Sequence, residues 1–384
     1  MRSLLFLYQM IGEHVALFYH WEQTCVPAIR ETDSMRGKLL FVVEYCGEDD
    51  MRIVLDTYGA DQGAEVFVEG AKRALLEMPE LSFLFVGDEE KLTELLQGFP
   101  NDKGAILRAS DVIDNTDDPI SAIRSKPDSS MVVALKELKT GEVDGMLSSG
   151  STGALLAGAT LYIGRIKGVS RAALSTLLPS FLNRDKTTML LDIGANADIS
   201  PELALTFAKM AMVYSKSIRA ISSPTVGLLN IGTEPGKGNQ FAKNTFPLLE
   251  SFFRSNFVGN VEARDLLITD ADIVVSDGFT GNIAIKTIEG TAIAMSKLLK
   301  EGVYRSFSTK LGGALMKPVF YDLKSIFDSN EYGSAPLLGL RKPVFKAHGS
   351  STARGIETGI LTLARFIQEK VVDTISQSLK EEEE

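Results

Sequence analysis

The stretch Ala271-Asp272-Ile273-Val274-Val275-Ser276-Asp277-Gly278-Phe279-Thr280-Gly281-Asn282-Ile283-Ala284-Ile285-Lys286 decides the fold. Ile273 to Val275 is a β-branched run without alternation, the pattern of a strand covered on both faces. Small and polar residues follow, and Asn282 stands at the expected helix N-cap. Beyond it Ile285, Ile288, Ala292, Met295 and Leu299 recur at helical spacing. The unit is strand, glycine-rich turn, helix. In an open parallel sheet that junction lies at the carboxyl edge of the strands, where ligands bind. The N–H groups of a first helical turn make it attractive to an anion.

The same alternation runs along the chain on both sides. Ile53-Val54-Leu55-Asp56 leads into a turn at Tyr58 to Asp61, and Phe83 to Val86 into a charged helix at Glu89 to Leu96. Ala105 to Leu107 is a further strand candidate. Gly145-Met146-Leu147 runs into Ser148-Ser149-Gly150-Ser151-Thr152-Gly153 and an apolar helix over 154–161, expected to be buried. Met189 to Asp192 precedes a helix with Ser200 as cap and Pro201 at its first position. Val226 to Ile231 is followed by Glu234-Pro235-Gly236-Lys237-Gly238-Asn239, and Val344-Phe345-Lys346 by His348-Gly349-Ser350-Ser351. The predicted fold class is α/β, an open and largely parallel sheet flanked by helices.

Residues 1–50 break this pattern and are expected to be a poorly ordered extension or sequence read from a too-early start, with Met35 and Met51 as later starts. The organised domain then spans 51–384. Leu4 to Leu7 is interrupted by Gln9, Glu13 and His14 before a membrane span is reached. Cys25 and Cys46 are the only two cysteines among 384 residues, so a disulfide framework is excluded and a cytoplasmic setting fits. A net charge of −10 argues against nucleic acid as a partner. Three histidines, His14, His20 and His348, are too few for a His-rich metal site, and no metal is expected.

Several strand ends terminate in Gly, Ser, Thr, Asn or Asp. If their carboxyl edges share one crevice, then Ser149 to Gly153, Asn196, Lys237 to Asn239, Thr280 to Asn282 and His348 to Ser351 face each other. Lys237, between two glycines, is the cation expected to meet a bound anion. His348 is a candidate proton donor. Neither a dinucleotide fingerprint nor a P-loop occurs. No nucleophile elbow is present, and Ser350 and Ser351, so soon after His348 in the chain, do not read as a nucleophile–base pair.

Six motifs in order resemble the PlsX family: Gly145 to Leu155, Leu191 to Asn196, Lys237-Gly238-Asn239, Gly259 to Asp265, Asp277 to Asn282, and Lys346 to Ser351. The family opening differs here, with Asp56-Thr57-Tyr58-Gly59-Ala60-Asp61-Gln62 carrying Gln62 in place of a histidine, and Ser151 stands where Asn is common. The resemblance implies a fold like phosphate acetyltransferase and the isocitrate/isopropylmalate dehydrogenases. It implies transfer of a long-chain acyl group from acyl carrier protein to inorganic phosphate, with no cofactor. It also implies a homodimer with a helical projection over 298–336 that touches the membrane transiently.

The chemistry needs no activated serine or cysteine, because phosphate is the nucleophile. Lys237, Asn282 and His348 are the expected catalytic residues. Gly150, Ser151, Thr152, Gly153, Asn196, Gly238, Asn239, Asp277, Gly278, Thr280 and Gly281 are the expected phosphate and substrate contacts. Acyl carrier protein, being acidic, would dock on Arg165, Lys167 and Arg171, or on Arg341, Lys342 and Lys346. A phosphate acetyltransferase-like enzyme using acyl-CoA, or a non-catalytic membrane-associated scaffold, are the other readings.

Overall fold

The computed structural model describes residues 51–320, 330 and 334–381, and four short strands within the first fifty. The chain divides into two compact units, Met1–Asp50 and Met51–Glu384. In the first, β1 (Gln9–Ile11) pairs antiparallel with β2 (His14–Ala16), and β3 (Ala28–Thr32) with β4 (Leu40–Glu44). Cys25, Met35 and Cys46 lie outside the described residues, as do 321–329 and 331–333 of the expected projection.

The second unit is built on one sheet of eleven strands. One flank holds β5 (Met51–Asp56), β6 (Leu81–Gly87), β7 (Gly104–Arg108), β8 (Gly145–Ser148) and β15 (Val344–Lys346), all parallel. The other flank holds β10 (Thr187–Leu191), β11 (Val226–Asn230), β12 (Phe257–Glu262) and β13 (Ile273–Val275), also parallel. Between them run β9 (Ala173–Pro179) and β14 (Ala335–Leu338), antiparallel to each other and to the neighbour on either side. Three reversals in a row turn the second flank against the first. The carboxyl ends of the two parallel sets therefore point to opposite edges, which corrects the expectation of one shared crevice edge.

Burial on both faces explains the non-alternating strands. Ile53 and Leu55 enter the core beneath α1 (Glu65–Glu77) and α10 (Ala353–Gln368), while Val54 between them enters the core beneath α4 (Ser130–Thr140) and α5 (Thr152–Tyr162). Ile273 and Val275 join the first of these cores, and Val274 packs with Leu178 and Leu190 on the opposite face. The sheet is dressed further by α2 (Glu89–Leu95), α3 (Pro119–Ser125), α6 (Pro201–Ser217) and α7 (Gln240–Phe253). After β13 come α8 (Gly278–Tyr304) and α9 (Phe307–Leu315), and α11 (Val371–Glu381) closes the described chain.

Ser200 caps α6 as its sequence suggested, accepting from Leu203 N–H at 3.2 Å. At α8 the cap is Asp277 rather than Asn282, and the helix begins at Gly278. α5 is buried at Ala154, Leu155, Gly158 and Ala159, but Leu161 is 57% exposed, so it has an outer face after all.

Candidate active site

Three neighbouring parallel strands each end in a polar residue, and the register sets these side by side. Asp56 pairs with Ser148, and Ser148 with Lys346. The Asp56 carboxyl is buried and accepts from Ser130 Oγ at 2.5 Å and from Ser148 Oγ at 2.6 Å. Burial pushes its pKa up to about 6, against the pull of those hydrogen bonds and of Lys346. Lys346 donates to the carbonyls of Ser149, at 3.1 Å, and Ala347. Loss of water draws its pKa down to about 8, opposed by the charge of Asp56.

Above this row the chain turns into α5. Ser151 occupies the N-cap position but its side chain caps nothing. The N–H groups of Thr152, Gly153 and Ala154 are the first-turn donors that a helix leaves without an intrahelical acceptor. The hydroxyl of Ser149 is buried and without a hydrogen-bond partner. Gly59 lies against this turn with φ +88°, so close that a Cβ there would sit 2.6 Å from Gly150 Cα. Only glycine permits that approach.

His348 follows Lys346 by two residues. Its Nδ1 accepts from Ser350 N–H at 3.2 Å and lies 2.8 Å from Ser350 Oγ. With Nδ1 an acceptor, the neutral ring carries its proton on Nε2. Desolvation lowers its pKa, Glu289 opposes that shift, and Lys346 and Lys286 add to it.

At the opposite edge the expected contacts have structural partners of their own. Asp192 is buried and gathers the N–H groups of Ala195 at 2.9 Å and Asn196 at 2.8 Å. The Asn196 amide donates to Asp192 at 2.7 Å and to Ala172 O at 2.8 Å, which engages both of its N–H bonds and removes it as an oxyanion donor. Asp277 accepts from Thr280 N–H at 2.7 Å, so a carboxylate already occupies the N-terminus of α8 and repels an anion there. Gly278 and Gly281 are close-packing residues, because a Cβ would stand 2.3 Å from Asn196 O in the first and 1.9 Å from Asp192 O in the second. Asn282 is exposed beside Gly194.

Lys237 sits in the β11–α7 loop, with Glu234 accepting its N–H and Asn230 donating to its carbonyl. Gly238 there has φ +93°, and Asn239 caps α7 by accepting from Ala242 N–H at 2.9 Å. This loop follows a strand of the second flank, so it belongs to the edge away from Ser151 and His348. Gly150, Ser151, Thr152, Gly153 and His348 are thus brought together. Lys237, Asn196, Asn239 and Asn282 lie with the other edge.

α8 connects the two. Its Ala284, Ile285 and Ile288 pack on the sheet at Leu178, Leu190 and Val274. Running back along the reversed flank, it brings Lys286 and Glu289, paired at 2.9 Å, near enough to act on the charge of His348. Sequence reasoning missed Asp56, Lys286, Glu289 and the siting of Lys346. The recurrent polar residue closing three apolar runs was the available signal.

This is an α/β fold of the kind seen in phosphotransacetylases. Solved structures of that class align at TM-score 0.57 for a phosphotransacetylase from Streptococcus pyogenes, 19% identical, covering 83% of this chain and 94% of that one. A branched-chain phosphotransacylase from Enterococcus faecalis aligns at TM-score 0.51, 14% identical, covering 83% of this chain and 99% of that one. Residues 51–374 match the family described as fatty acid synthesis protein. The chain is 45% identical to a phosphate acyltransferase of Halalkalibacterium halodurans, over 85% of this chain and 95% of that one. It is 44% identical to another of Lysinibacillus sphaericus, over 86% and 98%. The chain belongs to the PlsX family of acyltransferases.

Proposed function

We propose that this protein transfers a long-chain acyl group from acyl carrier protein to inorganic phosphate, yielding an acyl phosphate for phospholipid synthesis. The observation that carries this reading is the start of α5, where the Ser151 side chain leaves the first-turn N–H groups uncapped, just after a turn in which the Ser149 hydroxyl has no partner and the Ser149 carbonyl accepts from the Lys346 ammonium. Thr152, Gly153 and Ala154 N–H with Lys346 hold the phosphate, and charge-assisted hydrogen bonds of this kind are the strong ones.

A phosphate oxygen attacks the thioester carbonyl carbon; the C–O bond forms as the carbonyl electrons move to oxygen. The tetrahedral oxyanion then collapses, the C–S bond breaks, and the thiolate leaves. The proton lost by hydrogen phosphate is the one the thiolate needs. His348, its pKa lowered by desolvation so that the ring is neutral, takes it from one and returns it to the other. Proton count and charge balance without a cofactor or an enzyme nucleophile.

The carrier protein docks on a single basic neighbourhood. The two clusters seen in the sequence adjoin, because Arg165 bridges to Leu340 and Arg341 donates to Arg165 O at 2.9 Å. Arg165, Arg171 and Arg341 are exposed there. Lys346 is half-buried and belongs to the site instead. The protein works as a cytoplasmic homodimer that meets the membrane transiently. Exposed Ile293, Met295, Leu298, Phe307, Leu311 and Leu315 along α8 and α9 support that contact. No helix among the described residues is long and apolar enough to cross a membrane.

The test is acyl phosphate formation from long-chain acyl-carrier protein, trapped with hydroxylamine, with and without phosphate. Product that requires both phosphate and the carrier-protein donor is expected. Thioester loss independent of phosphate, or faster turnover of the matching acyl-CoA, contradicts the reading.

A further inference from the structure

Asp56 has no place in the transfer steps above, yet it is a buried carboxyl directly beneath the anion turn. The direction of its hydrogen bonds is fixed by chemistry. Gly150 N–H can only donate, and it does so to Ser148 Oγ at 3.1 Å. Ser148 Oγ then directs its own proton to Asp56 Oδ2 at 2.6 Å, and Ser130 Oγ gives its proton to Oδ1 at 2.5 Å. An ionised Asp56 accepts both. A protonated one must donate to a serine, leaving a buried hydroxyl hydrogen without an acceptor.

We infer that Asp56 is a positioning residue for phosphate: through Ser148 it fixes the Ser148–Gly150 turn, and with it the first N–H groups of α5 and the Ser149 carbonyl that anchors Lys346. Three further features fit. The strand register aligns Asp56, Ser148 and Lys346. Gly59 braces the turn from the other side, where no side chain fits. Ser130 brings α4 into the same network, so the turn is held from β5, β8 and α4 together. Asp56 touches no substrate and acts only through these groups. The inference rests on the phosphate reading of the site.

The groups facing Asp56 are the neutral Ser130 of α4 and Ser148 of β8, the backbone N–H of Tyr58, and the ammonium of Lys346 on β15. Asp61 and Lys286 act in turn on Lys346. Since burial lifts Asp56 to about 6, the network is assembled above that pH and disassembles below it. His348, whose pKa desolvation lowers from the ordinary imidazole value, needs its own control.

The experiment is steady-state kinetics of the full chain at saturating acyl-carrier protein with varied inorganic phosphate, across the acid range, with circular dichroism of each variant. Asp56→Asn is expected to raise the phosphate KM by about tenfold, the scale of a lost hydrogen bond to a charged group, and to lose the acid limb near pH 6. Ser148→Ala should raise the KM similarly, Asp56→Glu should restore part of it, and His348→Gln should keep the Asp56 limb. A folded Asp56→Asn whose KM and acid limb match wild type overturns the inference. So does a loss of active enzyme with unchanged KM and pH profile, which is a purely structural effect. If Asp56→Asn does not fold, an unchanged phosphate KM in Ser148→Ala overturns it instead. A wild type without phosphate dependence sinks the reading of the site and this inference with it; a phosphate-dependent wild type with an unaffected Asp56→Asn sinks the inference alone.

Discussion

Lys346 keeps its ammonium half-buried beside Asp56, with its pKa drawn down to about 8 from 10.5. The unfolded chain therefore binds that proton more tightly, and stability rises with pH between those two values. For Asp56, raised to about 6 from 3.8, the folded chain binds the proton more tightly, so stability falls as pH rises through that window. Near pH 7 both groups are charged and both cost stability. Lys346→Met is expected to unfold later in urea at pH 7 than wild type, by up to about 3 kcal/mol, while losing phosphate affinity. Equal or lower stability contradicts the burial argument. The acyl-transfer rate should also fall as pH drops through the His348 value, which lies below 6.5. In Asp56→Asn that limb should stand alone. At this scale the sequence marked Ser151, Thr152 and His348 as candidates by their place after apolar runs, and the parallel pairing of β8 with β15 sets them at one edge. It did not show Asp56 with Ser148, whose side chains meet across 92 residues because adjacent strands share a register.

Among the elements, α8 tests local reasoning most sharply. Asp277 and Asn282 are both good caps by residue type. What selects Asp277 is tertiary: Gly278 and Gly281 let the first turn lie against the Asp192–Asn196 loop, so the helix starts before Asn282. Asp277→Ala is expected to cost about 1 kcal/mol in thermal or urea unfolding. Gly281→Ala, which forces a Cβ to 1.9 Å from Asp192 O, should exceed about 4 kcal/mol or prevent folding. A Gly281→Ala protein as stable as wild type contradicts this packing. The parallel strands were legible because burial on both faces leaves continuous apolar runs. β9 and β14 were not, since only their antiparallel partners reveal the reversal.

For the whole molecule, that reversal moves half of the expected site to the other edge and leaves α8 as the link. The sequence supplied the class of chemistry and a group of strand-end residues that do share one sheet edge, but chain direction is settled only by pairing. Charge reversal at Arg165 and Arg341 should raise the KM for acyl-carrier protein and weaken its salt dependence with kcat unchanged. An unaltered KM places docking elsewhere. Removing residues 1–50 should leave kcat/KM within about twofold, the range of changes away from structural features, because the family match begins at 51. A larger loss gives the extension a part in catalysis.

The central claim is that phosphate binds at the start of α5 beside Lys346 and not in the β11–α7 loop. It is tested most directly by the phosphate dependence of acyl phosphate formation in Lys346→Met and Lys237→Met, measured side by side. The phosphate KM should rise by at least about tenfold in the first and stay within about twofold of wild type in the second. The reverse order would contradict the account.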